Sequence, residues 1–191
     1  MTLRLHLLCS ASTPSLRHAA FPKNEPIDDA GRKGLSKLTD RLPSCDRTLR
    51  SPALSAAQTA EALGLDSASE PALRDCDFSR WTGRGLEEIH AQEPEALAAW
   101  LRDAETAPHG GESFAQVKKR VGVWMDGLPP EDRSVLAITH AAVIRAAIAH
   151  ALDAPPNSIP HIDVSPLALV TLSGAKGRWR FSALVSQTRL R

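Results

Sequence analysis

Scarcity narrows the possibilities first. The 191-residue chain carries only 3 cysteines, Cys9, Cys45 and Cys76, widely spaced and without a Cys-x-x-Cys pair. An odd, scattered set argues against a disulfide framework or a structural zinc site and suits a reduced, cytoplasmic chain. No apolar stretch approaches the roughly 18 residues that a membrane span requires. The first apolar run passes into Ser12-Thr13-Pro14 without a cleavage pattern. Neither sign of charge is in excess, with 23 Lys and Arg against 22 Asp and Glu and no long block of one sign. That balance argues against nucleic-acid and anionic-membrane partners and leaves any anion binding to a local site. Repeats, low-complexity tracts and linkers are also lacking, so residues 1–191 read as one domain. A domain of this size buries roughly 70% of the surface its unfolded chain exposes.

What is present alternates between short β-like runs and longer helical ones, the pattern of an α/β layered domain. "LRLHLLC" reads as a first strand, followed by a helix with Ile27, Leu35, Leu38 and Leu42 on one face. "CDRTLRSP" reads as a second strand ending in a Ser-Pro turn. In "SPALSAAQTAEALG" Ser51 suits a helix cap, Pro52 the first turn and Gly64 the stop. "GLEEIHAQEPEALAAWLRD" is helical with a break at Pro94, and "GGESFAQVKKRVGVWMDGL" puts Val117, Val121 and Trp124 on one helical face. A strand from Val135 to Ile138 leads through His140 into an Ala-rich helix, and "LALVTLS" and "WRFSALV" form a terminal strand pair.

Four segments, in this order, resemble the histidine phosphatase superfamily, the phosphoglycerate mutase-like fold. They are "LLCSAST" against that family's strand and Arg-His-Gly-Glu-Thr, "RSPALSAAQTAEALG" against Ser-Pro-x-x-Arg-Ala-x-Gln-Thr-Ala, the turn in "PHGGES", and "VLAITHAAVIRA" against strand, His, Gly-Gly, helix. "LRDCDFSRWTG" is similar to the family's Leu-x-Glu-x-x-Phe-Gly-x-Trp-x-Gly. The short chain and the "FPKNEPID" stretch look most like the small phosphatases and α-ribazole phosphatase-like members of that family. The resemblance implies a three-layer α/β/α sandwich on a mostly parallel sheet, with a pocket at the carboxyl ends of the strands. It also implies a histidine nucleophile that becomes phosphohistidine, two arginines and a second histidine on the phosphoryl oxygens, and a carboxylic acid for the leaving group. Imidazole is a neutral nucleophile near pH 7, and guanidinium pairs two phosphate oxygens at once.

Carried over residue by residue, the pattern is broken. Cys9 stands at the first arginine, Ser10 at the nucleophile and Ser55 at the second arginine, while Thr13, Glu112 and His140 keep family positions, the last two as acid and second histidine. A serine hydroxyl is a poor nucleophile without a base to take its proton. The expectation is therefore a noncatalytic or repurposed member that binds a small anionic ligand or a protein partner, with no cofactor. One alternative is an active phosphomonoesterase using other groups, such as Arg17 in Arg17-His18-Ala19 curling back toward an anion. The other is a Ser10–His140–Glu112 hydrolase, which needs the base within hydrogen-bond reach of the hydroxyl. His6 and His150 read as packing histidines, His109, Arg74 and Arg80 as loop and surface, and Cys9 as a small buried hydrophobe. A metal set of Cys9, His18, Glu112 and His140 has the residue types but not the spacing.

Overall fold

The computed structural model describes residues 2–38, 42–129, 131–175 and 177–185. Six strands form one sheet: β1 (Leu3–Cys9), β2 (Arg47–Arg50), β3 (Ala68–Ser69), β4 (Ser134–Thr139), β5 (Leu169–Ala175) and β6 (Arg178–Val185), in the order β3-β2-β4-β1-β5-β6. The first four in that order are parallel, and β5 and β6 add an antiparallel edge. Central parallel strands are covered on both faces and so read as continuous apolar runs. Leu5, Leu7, Leu8, Val135, Ala137 and Ile138 are fully buried.

Alternation along β1 divides the core in two. Leu3, Leu5, Leu7 and Cys9 face one cluster, packed with α6 (Phe114–Asp126) and α7 (Ala141–Ala151). Leu8 faces the other, with Ala56 and Ala60 of α3 (Leu54–Ala62) and Leu35 of α2 (Asp29–Leu35). The result is the expected α/β/α sandwich. Truncating any of these leucines to alanine costs about 2–5 kcal/mol by cavity formation.

Helix ends follow local chemistry, with one departure. Ser113 and Gln116 close a capping box on α6, with bonds of 3.2 and 2.7 Å. Pro94 divides its segment into α4 (Leu86–Gln92) and α5 (Pro94–Arg102), where it takes the first helical turn. Gly64, at φ +67, ends α3 in the left-handed region. The start of α3, however, lies at Leu54 with Ala53 as its cap, and Ser51 Oγ accepts the Ala53 N–H at 3.2 Å just ahead of the helix. Its first free amide, Leu54 N–H, donates instead to Asn24 Oδ1 at 2.8 Å. The helix expected over 27–42 is observed as α2 at Asp29–Leu35, and residues 39–41 lie outside the described residues. A short α1 (Pro14–Arg17) and the two-residue β3 carry too little periodicity to be anticipated.

Candidate functional site

Parallel strands that end side by side leave a crevice at their carboxyl ends. Cys9 stands opposite Thr139 in the β1–β4 ladder, so Ser10 and His140 leave neighbouring strands at the same level. Ser10 N–H donates to the Thr139 carbonyl at 2.7 Å, which fixes that level. The start of α3 brings Ala53 and Ser55 to the crevice, and the start of α7 brings Ala141 and Ala142. Together with residues 9–13, with Lys23 and Asn24, and with residues 75–78 and 163–166 they border a cavity of about 590 Å³.

His140 is anchored at the cavity floor. Its Nε2 is 2.8 Å from Ser51 Oγ, a wholly buried hydroxyl that also accepts the Ala53 N–H at 3.2 Å. Its Nδ1 faces Asp75, 3.6 Å from Oδ2. Asp75 is itself positioned by a close approach. Glu112 N–H donates to the Asp77 carbonyl at 2.8 Å, and a Cβ on Gly111 would run into that same carbonyl oxygen. Only glycine lets the 109–112 turn lie against the 75–77 segment. Phe78, next along the segment, is tilted against Phe21 with ring centroids 5.0 Å apart.

Of the residues expected at the site, Cys9, Ser10, Thr13, Ser55 and His140 line the cavity. Glu112 and Arg17 do not. The Glu112 carboxylate accepts from Arg120 Nε at 2.8 Å and Nη2 at 2.9 Å, from Arg74 Nη2 at 2.8 Å and from Asp77 N–H at 3.2 Å. With every lone pair directed at a guanidinium or an amide, it is a clamp rather than an acid poised over the cavity. Arg17 turns outward to an ion pair with Asp28, 3.1 Å between Nε and Oδ2. The Ser10–His140–Glu112 relay is consequently not assembled, since the ring nitrogen that would serve as base is bonded to Ser51.

Three residues that sequence reasoning passed over take their place. Ser51 orients His140. Asp75 is the cavity carboxylate that faces His140, and its signal was available: it occupies the glutamate position of the Leu-x-Glu-x-x-Phe pattern in "LRDCDF". Arg145 lines the cavity one turn into α7, the lone arginine in the otherwise apolar "AAVIRAAIA". Cys9, which lines the same cavity, is held as the neutral thiol. Burial and then the Asp75 charge push its thiol pKa up to about 12, against opposing pulls from Arg145 and the Leu167 backbone. Two histidines away from the cavity have structural partners: His6 Nδ1 meets Thr171 Oγ1 at 3.0 Å, and His150 Nε2 meets Asp126 Oδ1 at 3.2 Å. Buried His109 accepts Gly111 N–H at Nδ1, 3.1 Å, and burial lowers its pKa. Among the described residues no group of three or more His, Cys, Asp or Glu stands ready to hold a metal ion.

Comparison with known proteins adds a lineage. The sequence profile of the histidine phosphatase superfamily (branch 1) matches residues 16–187, a stretch that begins beyond the Cys9–Thr13 loop. A bifunctional protein of Mycobacterium tuberculosis is 33% identical over 118 residues, 60% of this chain and 32% of that protein. The glucosyl-3-phosphoglycerate phosphatase of Mycolicibacterium vanbaalenii is 35% identical over 119 residues, 55% of this chain and 52% of that one. The chain thus spans about a third to a half of the curated relatives it matches. Among solved structures, the α-ribazole phosphatase of Shigella flexneri superposes with a TM-score of 0.85 over 96% of both chains at 22% identity, a likeness of fold. A mycobacterial glucosyl-3-phosphoglycerate phosphatase in complex with VO3 superposes at 0.80, 28% identical, over 94% of this chain and 97% of that one.

Proposed function

Since the chain belongs to the histidine phosphatase superfamily, we propose that it has given up that family's phosphohistidine chemistry and uses the inherited cavity to bind a ligand. The observation that carries this reading is the floor itself: Cys9, Ser10 and Ser55 line it where the resemblance calls for arginine, histidine and arginine. Each charge-assisted hydrogen bond is worth about 1.5–3 kcal/mol, so two missing guanidiniums remove several kcal/mol of phosphoryl binding. The missing imidazole removes the covalent route, because the lone histidine on the floor, His140, has Nε2 taken up by Ser51. We assign the protein to the cytoplasm on its three free thiols.

The test is phosphate release from p-nitrophenyl phosphate. The parent is expected to give none above background, and the triple variant Cys9→Arg, Ser10→His, Ser55→Arg to give measurable hydrolysis. Ser10→His alone should do little, because a nucleophile without an oriented phosphate lacks the positional part of the rate. Hydrolysis by the parent that survives Ser10→Ala would overturn the reading. It would favour a phosphomonoesterase built on Arg145, the second reading, whose support is that cation at the cavity and the phosphatase activity named for the relatives.

A further inference from the structure

The charges around the cavity have been redistributed rather than simply deleted. Its lining holds two cations, Lys23 and Arg145, against three carboxylates, Asp75, Asp77 and Asp163. A phosphate dianion gains nothing from such a wall. Two of these groups have unused capacity. Arg145 has a buried Nε with no hydrogen-bond partner among the described residues, and its Nη2 only approaches the exposed Asp163 at 3.8 Å. A buried guanidinium donor left unpaired is costly, which makes it a marker of a missing acceptor. Asp75 accepts only its neighbour's amide, Cys76 N–H at 2.8 Å, and stands 3.6 Å from His140 without a formal cation. Both groups act on the same buried sulfur: Asp75 raises the Cys9 thiol pKa and Arg145 lowers it. Asp75, Arg145 and Cys9 line the same cavity, which thus carries a positive and a negative pole beside a neutral thiol. The walls between and above them are apolar, including Ala11, Leu16, Phe78, Val164 and Pro166.

We propose that this cavity binds a small zwitterion, its carboxylate on Arg145 and its ammonium on Asp75, with the apolar walls covering its carbon skeleton. A planar carboxylate suits the guanidinium fork, and Arg145 lies in the first turns of α7, where the helix end also favours negative charge. The ligand class rests on the noncatalytic reading, because a working phosphohistidine site would need the same floor for phosphate.

Calorimetric titration of the full chain tests it with two zwitterions of different charge separation, L-phenylalanine and 6-aminohexanoate. Each is compared with its amine-only and carboxylate-only analogues: 2-phenylethylamine and 3-phenylpropanoate, hexylamine and hexanoate. At least one zwitterion is expected to bind about tenfold or more tighter than both of its analogues, the worth of one charge-assisted contact. Arg145→Gln should abolish its advantage over the amine, and Asp75→Asn its advantage over the carboxylate. A folding defect would instead weaken all the probes together. The proposal is overturned if neither zwitterion outbinds its analogues, or if the two variants fail to separate the two charges. Phosphate release measured on the same preparation keeps the readings apart. No hydrolysis and no zwitterion preference sinks the ligand class alone, and hydrolysis with a zwitterion preference sinks only the noncatalytic reading. Hydrolysis without that preference sinks both.

Discussion

Replacing Glu112 with glutamine leaves the shape of the side chain and removes its charge, which separates a clamp from a reacting acid. In the structure both oxygens accept, from three guanidinium nitrogens and one backbone amide. A glutamine retains one acceptor oxygen and turns an NH2 group toward an arginine donor. The Arg120 side chain is 13% exposed and that of Glu112 15%, so this pair is largely shielded from water. The Arg74 side chain, 47% exposed, adds little. Breaking a buried pair costs about 3–5 kcal/mol. Discounting for the remaining exposure and the retained acceptor gives about 2–4 kcal/mol. For a chain of this length that corresponds to a fall in Tm of roughly 5–15 °C. Asp75→Asn, which disturbs only a 3.6 Å approach to His140, should cost about 1 kcal/mol or less. Thermal unfolding followed by circular dichroism reads both. The reasoning is refuted if Glu112→Gln unfolds within about 2 °C of the parent, on the same size scaling. An Arg120→Gln background should erase most of the Glu112→Gln effect if the two act as one unit.

Two further outcomes follow from the charge environment. With its thiol pKa pushed up to about 12, Cys9 is thiolate in only about one molecule in ten thousand at pH 8. Native protein should therefore react with Ellman's reagent at Cys9 far more slowly than the unfolded chain does, and fast stoichiometric labelling of Cys9 would contradict the assignment. In acid, Asp126 should matter. Burial alone would raise its pKa, but hydrogen bonds from Trp179 and His150, the His150 charge and the Gly177 amide hold it below its ordinary 3.8. A depressed carboxyl contributes stability that is present above the unfolded-state value and lost as pH falls through the folded one. The parent should thus lose Tm more steeply than Asp126→Asn below about pH 4, and parallel curves would rule the linkage out.

The central strands were legible from sequence because burial on both faces leaves uninterrupted apolar runs, and α6 because Val117 and Val121 recur at helical spacing. The site was harder to read where a side chain's role is set by distant partners. Glu112 sits in the expected turn, yet its role is decided by Arg74 and Arg120, which only the folded chain brings to it. Ser51 has the composition of a helix cap and its hydroxyl does accept the Ala53 N–H, but nothing local shows that it also meets the imidazole 89 positions away. Arg145 is conspicuous among alanines, although nothing local says that its face of α7 borders a cavity.

The place of β1 in the sheet bears on how the chain comes to exist at all. Its two hydrogen-bonded neighbours are β4, which pairs Arg4 with Ser134, and β5, which pairs Leu3 with Gly174. β1 is synthesised before both and thus waits for partners made much later. At about 5–20 residues per second, translation leaves it without a neighbour for roughly 6–26 seconds. Contacts of such long sequence separation also slow the closing search itself. During that interval Leu3, Leu5, Leu7 and Leu8, all buried in the finished sheet, are open to other chains. A nascent chain arrested before β4 presents an apolar strand and no sheet to receive it.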